Sequence, residues 1–169
     1  MPRPDLNRVP EFYHGYINKV KENDLIPALQ NSTSAMFELL NSIPADKLDY
    51  RYGEDKWKIK EVFQHMIDAE RVFAYRALRF SRKDDNKLPG FNENHFTRFS
   101  KAANRKWDEM IEEMKHLRKA NELMFASFDN EQLEYEGIAS DRSVYVLGIG
   151  FICAGHINHH CQVIKERYL

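Results

Sequence analysis

Between Trp57 and Arg82 the chain reads WKIKEVFQHMIDAERVFAYRALRFSR, with no glycine or proline, and Ile59, Val62, Phe63, Met66, Ala69, Phe73, Ala77 and Phe80 recur at helical intervals. That spacing gathers them on one face of an α-helix and does not fit the two-residue period of a strand. A helix this long with one apolar face needs other helices to cover it, which directs the fold toward a bundle. The same pattern predicts a helix over about 25–42 through Leu25, Leu29, Met36, Phe37 and Leu40, with Pro27 tolerable only in its first turn. It predicts a second over about 57–81, capped by Asp55, and a third over about 97–127 through Phe99, Ala103, Trp107, Met110, Met114, Leu117, Met124 and Phe125. A fourth starts near Ser143 and runs to the end of the chain.

The connections are long. KDDNKLPGFNENHF, between helices two and three, carries Pro89-Gly90 among polar residues, and a crossover of that length lets the two helices lie parallel. No segment alternates β-branched residues enough to require a sheet. The expected fold is all-α, a four-helix bundle with a long connection between helices two and three. It occupies residues 25–169, and residues 1–24, with three prolines in the first ten, form an irregular or short-helical extension.

Composition narrows the function classes. With 25 basic and 26 acidic side chains the formal net charge is -1, so no whole-protein field draws the chain to nucleic acid or an anionic membrane. No stretch approaches the roughly 20 apolar residues of a spanning helix, and the start lacks a signal-peptide core, so a cytoplasmic protein is expected. Cys153 and Cys161, about 12 Å apart by helical rise, are expected to be reduced thiols.

The candidate chemistry lies in the histidines. His156 and His160, within GHINHH, are four positions apart and share one helical face, whereas His159 is turned about 100° away. Both start among core-facing neighbours, and a cation relieves the cost of burying their ring nitrogens. A stable site needs a third donor, and His65, on the Val62, Met66, Ala69 and Phe73 stripe of helix two, supplies it best. His95 is the substitute; His14 and His116 receive no ligand role. Asp68, one turn from His65, could orient a bound water, while Glu70 is poorly directed. Cys153 reads as a small buried hydrophobe, Trp57 as a core anchor, and Tyr75, Arg76 and Tyr145 as residues able to contact a ligand or simply pack.

Taken with their order and spacing, Trp57, the EVFQHMIDAER segment around His65, the LPGF linker at Leu88–Phe91 and the terminal GHINHHCQVIKERY resemble the DinB-like superfamily of small metal-binding four-helix proteins. The resemblance covers the chain from about residue 25 onward and implies a metal triad of His65, His156 and His160, the set reached above from helical geometry. It also implies frequent homodimers and, in some members, reactions of low-molecular-weight thiols. The longer N-terminal segment departs from many short members and could cover part of the bundle or the dimer surface.

Three neutral imidazoles leave a divalent ion open to water or substrate, and such an ion lowers the proton affinity of a bound water or thiol. The leading expectation is an enzyme that transfers a low-molecular-weight thiol to a small electrophile. A metal-dependent hydrolase and a non-catalytic metal-binding, stress-related protein are the alternatives. Zinc suits imidazole ligands first; nickel, iron and manganese follow. The expected partners are a small-molecule substrate and a second copy of the chain.

Overall fold

The structure, a computed structural model, describes residues 3–169. Two 3-10 turns, Leu6–Arg8 and Glu11–Tyr13, lead into α1 (His14–Ile17). Four long helices follow: α2 (Leu25–Ser42), α3 (Ile59–Ser81), α5 (Trp107–Ala126) and α7 (Val146–Arg167), with short α4 (Glu93–Phe99) and α6 (Asn130–Glu134) in the connections. α2 keeps Pro27 within its first turn, where the missing N–H has no intrahelical acceptor to lose. α3 begins two residues beyond Trp57, and its entry is fixed not by Asp55 but by Glu61, whose carboxylate accepts from the Lys58 backbone N–H at 2.8 Å.

α2 and α3 each pack against both α5 and α7, so the two helices that follow each other in sequence lie diagonally across the bundle. The core forms two clusters along the bundle. One holds Leu25 and Leu29 from the start of α2, Phe73 and Phe80 from the second half of α3, Phe125 from the end of α5 and Ile149 from the start of α7. The other holds Leu40, Phe63, Met110 and Ile164, from the opposite ends of the same helices. α3 and α5 therefore run parallel, as the long crossover allows, with α2 and α7 running the other way. No helix among the described residues is long and apolar enough to cross a membrane.

Two expectations need correction. The third helix is not continuous from 97: α4 ends at Phe99, Lys101 takes a left-handed conformation (φ 54°), and α5 starts at Trp107. Phe99, counted into the apolar stripe, is 63% exposed. Ser143 does not cap the last helix. It lies in a hairpin of β1 (Glu136–Ala139) and β2 (Arg142–Tyr145), joined through Ser140 and Asp141 at φ 53° and 59°. Positive φ at both central residues is the turn geometry that follows the twist of two antiparallel strands.

The N-terminal segment is strapped to the bundle. Arg3 donates to the carbonyls of Val20 and Ile17 at 2.6 and 3.1 Å, the Asp5 N–H donates to the Tyr145 hydroxyl at 2.7 Å, and Val9, Ile17 and Val20 join the first core cluster. α1 lies directly on α7. A Cβ on Gly155 would stand 2.2 Å from the Tyr16 carbonyl oxygen, so this close crossing depends on the glycine.

Candidate metal centre

α3 brings His65 to α7, and the two helices are antiparallel here, as the 2.7 Å hydrogen bond from the Tyr168 hydroxyl to the Trp57 carbonyl at their far ends requires. One turn apart on α7, His156 and His160 face the same point. The Nε2 atoms of His65 and His156 are 3.1 Å apart, as are those of His160 and His156, and ligand nitrogens of all three lie within 4.8 Å of one another. His65 and His156 are buried and His160 is half-buried. Their rings meet roughly edge to face, with centroids 4.5–5.0 Å apart.

Aromatic neighbours fix these rings. Trp57 lies 5.0 Å from His65, so the expected core anchor is also a wall of the site. Tyr16 and Phe73 meet His156 edge-on at 5.4 and 5.6 Å. Burial in this surround lowers the proton affinity of all three imidazoles. His65 is brought down to about 4 despite the opposing pull of Glu93, and His156 and His160 fall well below the ordinary histidine value, first by burial and then by each other's proximity or that of His65. The triad is neutral near pH 7.

Neutral imidazoles meet this geometry only by sharing. An sp2 ring nitrogen offers one in-plane position, either an N–H or a lone pair. The Nε2 of His156 has two nitrogens at 3.1 Å and a single position with which to meet both. A cation takes all three lone pairs at once. Donors about 2.0–2.1 Å from a tetrahedral zinc stand about 3.3 Å from one another, close to the spacing found. The three histidines therefore fit a divalent ion and leave room for an exchangeable ligand.

The triad opens into a cavity of about 320 Å³. Its floor is the stripe His65, Ala69, Phe73 and Arg76 of α3. Phe12, Tyr13 and Tyr16 from the N-terminal segment, Phe91 and Glu93 from the crossover, and Ser140 from the hairpin turn supply the remaining walls. The extension thus builds the site as well as covering the bundle. Among the lining residues Glu93 is the one carboxylate. Nothing in the sequence marked it, because it belongs to a segment that reads as a polar linker; in the structure it stands just after the Asn92 cap of α4.

The other candidates are placed elsewhere. Asp68 does not line the cavity; it accepts from Gln64, one turn back on α3, at 2.8 Å, and its proton affinity is raised by burial. Glu70 lies buried against Arg118. The ring of His95 is exposed beside Phe99, His14 faces the carbonyls of Leu6 and Val9, and His116 is on the surface near Glu112. His159 packs beside Tyr16, outside the triad. Cys153 is fully buried, its thiol pushed well up by that burial, and does not line the cavity. Tyr145 holds the N-terminal strap, and Tyr75 is exposed beside Arg79. Arg76, one of the three residues given a ligand-contact alternative, does line the cavity.

Comparison with known proteins agrees with this layout. The sequence profile of the DinB superfamily matches residues 28–164. No curated protein sequence matches significantly. Among solved structures the chain is similar to YfiT from Bacillus subtilis, a "probable metal-dependent hydrolase with an unusual four-helix bundle topology". The two align with a TM-score of 0.73 at 13% identity, over 84% of this chain and 82% of that one, a likeness that speaks for the fold.

Proposed function

The chain belongs to the DinB superfamily, and on that premise we propose that it is a metal-dependent enzyme transferring a low-molecular-weight thiol to a small electrophile, with His65, His156 and His160 holding one divalent ion. The observation that carries the reading is the pair of 3.1 Å Nε2 contacts meeting at His156, which gathers three ring nitrogens where one cation could take all their lone pairs. Zinc is the first choice of ion on ligand type, ahead of nickel, iron and manganese. When bound, such an ion supplies a Lewis acid that favours the thiolate near neutral pH.

The protein's own residues do the rest. The three imidazoles, held neutral by burial, donate lone pairs and do not exchange protons with the substrate. Phe12, Tyr16 and Phe73 narrow the cavity, which orients the thiol against its electrophile. Glu93 is the group that accepts the thiol proton, as the new sulfur–carbon bond forms and the leaving group departs with its electron pair. In this reading residues 25–169 are the DinB-like domain and the N-terminal segment is its site-completing extension. The protein acts in the cytoplasm as a homodimer, and the apolar depression holding Tyr75, Leu88 and Phe96 is surface that a second copy would cover.

Hydrolysis is the second reading, favoured by the same cavity carboxylate, which is suited to take a proton from water. One comparison separates the two. Zinc-loaded protein is supplied with cysteine and monobromobimane, or with p-nitrophenyl acetate alone. Thiol consumption that disappears on chelation and in a folded His160→Ala variant supports transfer. Ester cleavage without thiol consumption supports the hydrolase, and stoichiometric zinc with neither activity supports a binding protein.

A further inference from the structure

Eleven residues beyond His65, about three helical turns, α3 places Arg76 on the cavity floor it shares with His65, Ala69 and Phe73. The residue is only 4% exposed. A buried guanidinium is normally neutralised by a carboxylate, as Arg118 is by Glu70 in the same core. Arg76 is not. Its Nη2 donates to the Pro89 carbonyl at 3.0 Å and to the Ser140 hydroxyl at 2.9 Å, and the Tyr13 hydroxyl lies nearby. These neighbours are uncharged, and among the described residues no carboxylate pairs with it, Glu93 on the same cavity included.

The mounting is built rather than incidental. Ser140 holds its hydroxyl there from a left-handed conformation that a non-glycine residue adopts at a cost, and the Leu88–Ala139 bridge ties that turn to the crossover carrying Pro89. Two loops and a helix thus fix one unneutralised cation in the wall of the triad's cavity. From His65 to Arg76 the Cα atoms rise about 16 Å along the helix, and Ala69 and Phe73 line the floor between them.

We infer that Arg76 is the specificity-determining residue for an elongated small molecule carrying an anionic oxygen group, a carboxylate or a phosphate ester, at the end opposite its reacting atom. The inference rests on the triad being the reacting end, as proposed above. The fork-shaped donor set of arginine suits two oxygens of one group, and hydrogen bonds from a buried guanidinium to a charged partner are among the strong ones.

The test has two arms. In the metal-free protein labelled with 15N, hexanoate, hexyl phosphate and hexanol are titrated while the Arg76 Nε–Hε signal is followed. Movement with an anion and none with hexanol is expected, and whichever anion moves it names the group; an unmoved signal with both anions overturns the inference. In cobalt-loaded protein the sulfur-to-cobalt absorption band reports thiol binding directly. 6-Mercaptohexanoate should bind at least about tenfold tighter than 6-mercaptohexanol, and Arg76→Gln should erase that preference while leaving the alcohol's affinity unchanged. Equal affinities in the unmodified protein, or a preference that survives Arg76→Gln, overturn it. Failure of cobalt or of any thiol to give the band, beside an intact hexanoate response at Arg76, counts against the metal reading and not against the anion subsite.

Discussion

α3 carries two buried polar clusters five residues apart, and they differ in completeness. Glu70, turned toward α2 and α5, accepts from Arg118 Nη1 at 3.0 and 3.1 Å and from Asn121 at 2.8 Å. The remaining Arg118 donors reach the Leu29 carbonyl, Ser32 and Thr33 at 2.7–2.9 Å. That cluster closes on itself: each charged nitrogen and both carboxylate oxygens have a partner. His65, turned toward α7, meets two rings whose nitrogens crowd a common point. The first network locks three helices together and needs nothing further. The second is a cluster that could hold a metal ion.

Four perturbations would break or sharpen that contrast. The largest falls on the closed cluster. Glu70→Ala strands Arg118 at 1% exposure and should cost about 3–5 kcal/mol of unfolding free energy, measured by urea denaturation, while any protein that still folds binds metal at unchanged stoichiometry. His156→Ala does the opposite. It should lower zinc affinity more than about a hundredfold, about 3 kcal/mol by calorimetry, with helical circular dichroism largely kept. Gly155→Ala forces α1 away from α7 and should cost about 1–3 kcal/mol, with a changed environment for Tyr16 visible in its ring resonances.

The smallest effect is a pH dependence. Because burial lowers the His65 proton affinity to about 4, the unfolded chain binds more protons than the folded one from the ordinary value of 6.5 downward. Stability of the metal-free protein should therefore fall with pH, by about 1 kcal/mol for His65 between pH 6.5 and 5.5, with His156 and His160 acting in the same direction. Thermal melts across the interval measure it, and a flat profile would mean the rings are accessible to water.

The long helices and the His156–His160 pair were legible because both depend on local spacing, whereas His65, on another helix, was reached only by asking which core-facing histidine could be the third donor. α2 falls on the residues its apolar period marked, and an i, i+4 histidine pair on a core-facing stripe has few directions to point. Arg76 was half-legible: a charge continuing the stripe of Ala69 and Phe73 is conspicuous, but its lack of a carboxylate partner is a tertiary fact. Glu93, Tyr16 and Phe12 reach the cavity only through the path of a crossover and a strap, which no periodicity encodes. The hairpin was missed because Ser140 and Asp141 occupy a turn whose usual signature is a glycine. Lys101, also left-handed, hid the break before α5 for the same reason.

Everything proposed for the site requires the imidazoles of His65, His156 and His160 to converge on a single ion. X-ray absorption at the zinc edge of protein prepared without a histidine tag and loaded with one equivalent of zinc tests it most directly. Three imidazole nitrogens at about 2.0–2.1 Å with one light exchangeable ligand are expected, falling to two in His65→Ala. A sulfur ligand, or a spectrum unchanged by that substitution, would place the ion elsewhere and contradict the account.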